Sequence, residues 1–257
     1  MKVILALALV LVGIPHEART QEREPDALYL TGEVVSGVAS GGTGQAEWLR
    51  WLSSRSNITL GGASTSLMDL WWSYGTLSAF RRTDHFMLSG RISAGSGHSR
   101  ASPFTYGRYA ASATVPIASG FYAEIEGQHV HLARQTSTLF KFGGLYVGPR
   151  YFTFRLAYFT GSSAGVPSNS VLGHAELTLG RFGVWGGATT SLVGHRHGTN
   201  AIEIVTQPPR SVFGGASIAA GRSRLLGAFE LLPQQTGRLT RVTATLQLPL
   251  GKSRPLP

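Results

Sequence analysis

The chain has 257 residues, 23 lysines and arginines against 13 acidic residues for a formal charge of +10, 33 glycines and no cysteine. The missing thiols exclude disulfides, thiolate metal ligands, a cysteine nucleophile and a lipidated-cysteine anchor, and suit a chain that crosses an oxidising compartment. Basic residues are spread along the chain instead of gathering on one tail or face, so nucleic acid is not the expected partner; the surplus suits anionic lipid headgroups, lipopolysaccharide included, or an anionic polysaccharide.

Residues 1–20 read as a signal peptide: Met1-Lys2 is a basic start, and Val3 to Ile14 is an apolar run too short for a stop-transfer helix. Cleavage is expected between Pro15 and Gln21, and a retained N-terminal anchor is the alternative. Residues 21–257 are expected to form one domain. No later stretch approaches the roughly twenty apolar residues of a membrane-spanning helix, so any crossing must be made by strands.

Ala27 to Gly37 alternates Leu28, Leu30 and Val34 with Tyr29, Thr31 and Glu33, the period of a strand. Gly41, Gly42 and Gly44 read as a loop, and the pattern from Gln45 to Asp69 is blurred. Regular alternation resumes at Trp71. Ile92 and Ala94 oppose Arg91 and Ser93, Tyr109 and Ala111 oppose Arg108 and Ser112, and Phe121, Ala123 and Ile125 oppose Tyr122, Glu124, Glu126 and Gln128. Leu139 to Phe159 is the clearest hairpin: Phe140 and Phe142 precede a Gly148-Pro149 turn, and Phe152, Phe154, Leu156 and Tyr158 follow it. The last strand sets Val242, Ala244, Leu246 and Leu248 against Arg241, Thr243, Thr245 and Gln247. One face of every strand is polar or small. Longer connections are expected at Ser96–Pro103, Arg134–Gln135, Gly161–Ser170, Gly194–Asn200 and Pro233–Gly237, opposite tighter turns near Ser119, Pro149, Arg181 and Arg222.

Strands of this length, short turns on one rim and no helical pattern predict an all-β fold: a closed antiparallel transmembrane β-barrel of about twelve strands, within a range of ten to fourteen. Closure is required because hydrocarbon satisfies no backbone polar group. Phe140, Phe142, Phe152, Phe154, Leu156, Tyr158, Val242 and Leu246 are then expected to face lipid. Arg91, Arg108, Glu124, Glu126, Gln128, Lys141, Arg155, His174, Glu176, Glu230 and Arg241 are expected to point inward, as an ion-pair network that largely plugs the lumen.

Enzyme chemistry finds little support. Asp84-His85 are neighbours on a strand and point to opposite faces. His98-Ser99 lacks an orienting carboxylate. His129 with His131, and His195 with His197, are pairs without a third metal ligand. His174 and Glu176 are the best acid/base pair, and the lumen network explains them more simply. No catalytic residue, cofactor or metal is assigned.

The segment FKFGGLYVGPRYFTFRLAY, with the strand Val171 to Leu179 behind it, resembles the YaiO-like family of bacterial outer-membrane barrels, which carry a Gly-Gly…Gly-Pro hairpin before an aromatic, Arg-bearing strand. The likeness spans roughly Leu139 to Val193. It implies an outer-membrane barrel of about twelve strands, inserted by the barrel-assembly machinery of a Gram-negative envelope, with no catalytic residues to carry over. Such barrels usually end in an aromatic, whereas this sequence runs on from Leu250 to Pro257. The expected role is a small channel, scaffold or envelope component; the alternatives are an outer-membrane hydrolase using a rim histidine and a soluble periplasmic ligand-binding barrel.

Overall fold

The computed structural model describes residues 22–23, 25–149, 152–163, 165–191, 210–234, 237–251 and 254–255. The signal-peptide expectation, the His195/His197 pair and the Gly194–Asn200 loop lie outside them. The strands are β1 (Glu22–Arg23), β2 (Asp26–Gly37), β3 (Gly41–Ser53), β4 (Ser56–Leu67), β5 (Leu70–Arg82), β6 (Met87–Ser99), β7 (Pro103–Ala118) and β8 (Phe121–Leu132). They continue with β9 (Gln135–Val147), β10 (Phe152–Ser163), β11 (Val166–Leu179), β12 (Phe182–Ser191), β13 (Ser211–Ala220), β14 (Ser223–Gln234), β15 (Gly237–Leu250) and β16 (Arg254–Pro255). Each of β2 to β15 pairs antiparallel with its sequence neighbours, and β15 closes on β2 through Val242 opposite Val34. β1 and β16 form a separate two-stranded pair.

The barrel therefore has fourteen strands instead of about twelve. The difference arises in the blurred stretch, where β3 and β4 are full strands of 13 and 12 residues. Two features hide them in the sequence. Gly41, Gly42 and Gly44 belong to β3 itself, and the turn into β5 is made at Met68 with a left-handed φ of 53°, where glycine would have been the usual signal. The expected long connections also shrink: β6 runs to Ser99, with only 100–102 before β7, and β10 runs to Ser163 while β11 starts at Val166. Their glycines mark close strand contact: a Cβ on Gly95 or Gly161 would collide with the carbonyl of Ser73 or Thr138 across the ladder.

All strands start or end on the same two rims. One rim holds Asp26, Leu250 and the turns at 54–55, 83–86, 119–120, 148–151, 180–181 and 221–222; we call it the terminal end. The far end carries the remaining connections between the described strands.

The inner side of the wall is not uniform. Near the far end the inward residues turn from polar to apolar: Val35, Leu67, Trp72, Tyr74, Tyr106, Val130, Leu132, Leu232 and Leu239 form one buried cluster, with Val38, Leu70 and Phe104 packed against it. This corrects the expectation that one face of every strand is polar or small. β14 and β15 lie seven strands from β7 and β8, half of the ring. Leu232 and Leu239 are 0% exposed on the one side, and Val130 and Leu132 are 0% and 1% on the other. Residues lining an open pore would stay in contact with water, so the lumen is filled at this level.

A charged belt in the barrel interior

Below the plug, towards the terminal end, the inward residues become charged. Strand geometry puts them there by parity: residues i and i+2 share a face, so Glu124, Glu126 and Gln128 on β8 point the same way as Lys141 on β9 and Arg155 on β10. Arg155 approaches both oxygens of Glu124, Nη2 donating at 3.1 Å and Nε lying 2.9 Å from Oε2. Lys141 Nζ sits 2.8 Å from Glu126 and 3.9 Å from Glu124. Arg241 Nη1 donates to Glu230 Oε2 at 2.6 Å, and its Nε lies 3.9 Å from Glu33. Arg91 pairs with Glu47 and hydrogen-bonds Thr76, and Arg108 donates to Gln128. His174 stacks on Phe213 at 5.9 Å, and Glu176 lies one step below it on β11.

Four members of the belt are not among the residues singled out from the sequence: Glu33, Gln45, Glu47 and Arg224. Glu47 and Gln45 fall in the blurred stretch, yet Thr43, Gln45 and Glu47 are all buried on one parity, the signal that could have found them. Arg224, the second residue of β14, bonds Ser217 through Nε at 3.1 Å and Nη2 at 2.7 Å. With these included, the interior cations Arg91, Arg108, Lys141, Arg155, Arg224 and Arg241 face the anions Glu33, Glu47, Glu124, Glu126, Glu176 and Glu230, six against six. The belt is self-neutralising, so buried charges are offset within it instead of lining a passage selective for one sign.

Exposure grades along the axis. The plug is fully buried, whereas Glu126, Gln128, Glu176, Trp185, Arg224 and Gln247 are half-exposed although the wall encloses them. Water thus reaches the terminal-end members of the belt, while Glu33, Glu47, Lys141, Arg155, His174 and Glu230 are buried like the plug.

The outer side is apolar. Phe140, Phe142, Phe152, Phe154, Leu156, Tyr158 and Val242 are exposed on it, and Leu246 is half-buried. Aromatics gather near its rims: Trp71 against His98 at 5.2 Å on the far end, Phe121 against Tyr146 at 4.6 Å on the terminal end. This is how aromatic girdles flank an apolar band.

The histidine candidates are not assembled into a reactive group. Asp84 pairs with Arg55 at 2.9 Å in an exposed turn, where Thr83 Oγ1 accepts the His85 amide at 3.3 Å. His98 sits beside Trp71 on the outer face. His129 and His131 share the outer parity of β8, and His129 Nδ1 lies 2.9 Å from Thr138 Oγ1. Neither ring nitrogen of His174 has a hydrogen-bond partner. Among the described residues no three metal-ligating side chains converge.

No protein-family model matches the chain, and no curated protein sequence matches it, so the YaiO-like resemblance receives no support from either. Solved structures do match in fold. The monoaromatic hydrocarbon channel CymD superposes with a TM-score of 0.61 at 10% identity, over 88% of each chain. The toluene transporter TbuX of Ralstonia pickettii gives 0.60 at 11% identity over 89% of this chain and 90% of its own, and a bacterial polysaccharide outer membrane secretin gives 0.59 at 10% identity over 89% and 99%. By fold, the chain is an all-β closed barrel of the kind seen in outer-membrane channels and transporters.

Proposed function

We propose that this chain is a non-enzymatic outer-membrane β-barrel acting as a small channel held shut by its own side chains. The observation that carries the reading is the far-end plug: Trp72, Val130, Leu132, Leu232 and Leu239 are at most 1% exposed inside a fourteen-strand ring. The passage is water-accessible at its terminal end and is filled first by the buried part of the belt and then by the apolar plug, the kind of constriction that blocks ions by excluding water. Side chains can turn aside where a separate folded domain would have to leave.

The apolar outer band supports membrane insertion, with lipid and lipopolysaccharide against the wall and the barrel-assembly machinery as the route in. The terminal end, where β2 begins and β15 ends, is then periplasmic. The channel and transporter neighbours support the fold side of this reading, and the hairpin at Gly143-Gly144 and Gly148-Pro149 supports a YaiO-like relationship.

The test is conductance in planar bilayers of the purified full chain and of a Leu132→Gly/Leu232→Gly variant. Wild type should be nearly silent, and the variant should show discrete steps. Heat-dependent gel migration certifies that both are folded barrels. A folded variant as silent as wild type would refute the side-chain gate, and lipid hydrolysis by wild type would move the reading to an enzyme.

A further inference from the structure

Between β11 and β14 the inner wall carries flat surfaces. A Cβ on Gly187 would come within 2.6 Å of the Phe213 ring, and one on Gly215 would collide with the Trp185 ring. A Cβ on Gly183 would lie 2.8 Å from Ser217 Oγ and 3.2 Å from Arg224 Nη2. The glycines thus let the Trp185 ring and the Arg224 guanidinium lie flat against the wall, while the Phe213 ring over Gly187 is covered by His174.

The polar groups around these surfaces have unspent hydrogen-bonding capacity. His174 is 4% exposed with both ring nitrogens unbonded, and Glu176 has a buried, unbonded Oε2. Arg224 directs two nitrogens to the single Ser217 oxygen and has no carboxylate within 4.0 Å among the described residues. Leaving the buried His174 nitrogens and Glu176 Oε2 unpaired is costly, on the order of 1–3 kcal/mol each. Trp185, Glu176 and Arg224 are half-exposed, so the space over them opens to the terminal end.

We propose that this recess binds a small neutral saccharide, entering from the terminal end. The inference rests on the channel reading and names the chemistry the lumen would hold. A pyranose ring offers an apolar C–H face for Trp185, and each hydroxyl both donates and accepts. It therefore serves the Glu176 carboxylate, the Arg224 guanidinium and the His174 imidazole together. An anion would be repelled by Glu176, and a hydrocarbon would leave all three polar groups unsatisfied.

The experiment is calorimetric titration of the full chain in detergent with glucose and N-acetylglucosamine, with benzoate and toluene as competing classes. A saccharide should bind, Trp185→Ala should weaken it about tenfold through the lost ring face, and Glu176→Gln about tenfold through the lost charged acceptor. Phe121→Ala on the outer face should leave the affinity unchanged, and heat-dependent migration checks that each variant is folded. No heat with either sugar, a sugar affinity indifferent to both recess variants, or binding of benzoate or toluene alone would overturn the proposal. Because no membrane crossing is measured, this failure stands apart from a failure of the gate in bilayers.

Discussion

Glu124 holds the centre of the interior network, and replacing it by glutamine isolates what the network contributes. Arg155 is 8% exposed, and Glu124 is its only carboxylate within 4.0 Å among the described residues, met through both oxygens. The substitution leaves a buried guanidinium without its counter-charge, which costs about 3–5 kcal/mol. Water reaching the belt from the terminal end relieves part of this, so a loss of about 3 kcal/mol is expected. Glu126→Gln should cost less, about 1 kcal/mol, because its side chain is 23% exposed and Lys141 keeps Glu124 at 3.9 Å. Removing both charges in Glu124→Leu/Arg155→Leu should recover most of the loss, since no unpaired ion then remains. The assay is guanidinium unfolding in lipid vesicles followed by tryptophan fluorescence, fitted with one slope for all variants. A Glu124→Gln barrel within about 0.5 kcal/mol of wild type, or a double variant no more stable than the sum of its singles, would refute the argument.

Phe142→Arg, mid-strand on the outer face, should cost about 2–4 kcal/mol in vesicles, and Phe121→Arg at a strand end only about 0–1 kcal/mol; equal costs would argue against a bilayer around the wall. Met68→Asn should raise the unfolding free energy by roughly 0.5–1 kcal/mol, because Met68 holds a φ of 53° that asparagine tolerates better. Gly161→Ala should lower stability by at least about 1 kcal/mol in the same assay, since its Cβ would meet the Thr138 carbonyl and force the β9–β10 ladder apart. The same change at Gly32, where nothing lies within 4 Å of the added carbon, should be nearly neutral.

Alternation is a local property, and it was legible wherever the two faces differ in chemistry. Phe140 and Phe142 against Lys141, Phe154 and Leu156 against Arg155, and Val242 against Arg241 each announce a strand and its two sides without reference to any other residue. The same rule failed across Gly41 to Asp69, because Gly61, Gly62 and the Trp48 to Leu52 run blur the period and Met68 supplies a turn without a turn residue. Partners were not legible, since which carboxylate meets which guanidinium depends on register between strands and on closure of β15 onto β2. Arg91 meets Glu47 from 44 positions away, and Arg241 meets Glu230 across a hairpin and approaches Glu33 across the closing seam. The plug belongs to the same class. Trp72, Leu132 and Leu232 are apolar residues on an inward parity, and only a ring narrow enough to bring opposite walls together gives them a core to fill. The sequence by itself determined the strands and their faces outside Gly41 to Asp69, because a two-residue repeat needs only the backbone. The tertiary structure decided the number of strands, the pairing of charges and the closure of the lumen, because those depend on distances across a barrel that no local pattern encodes.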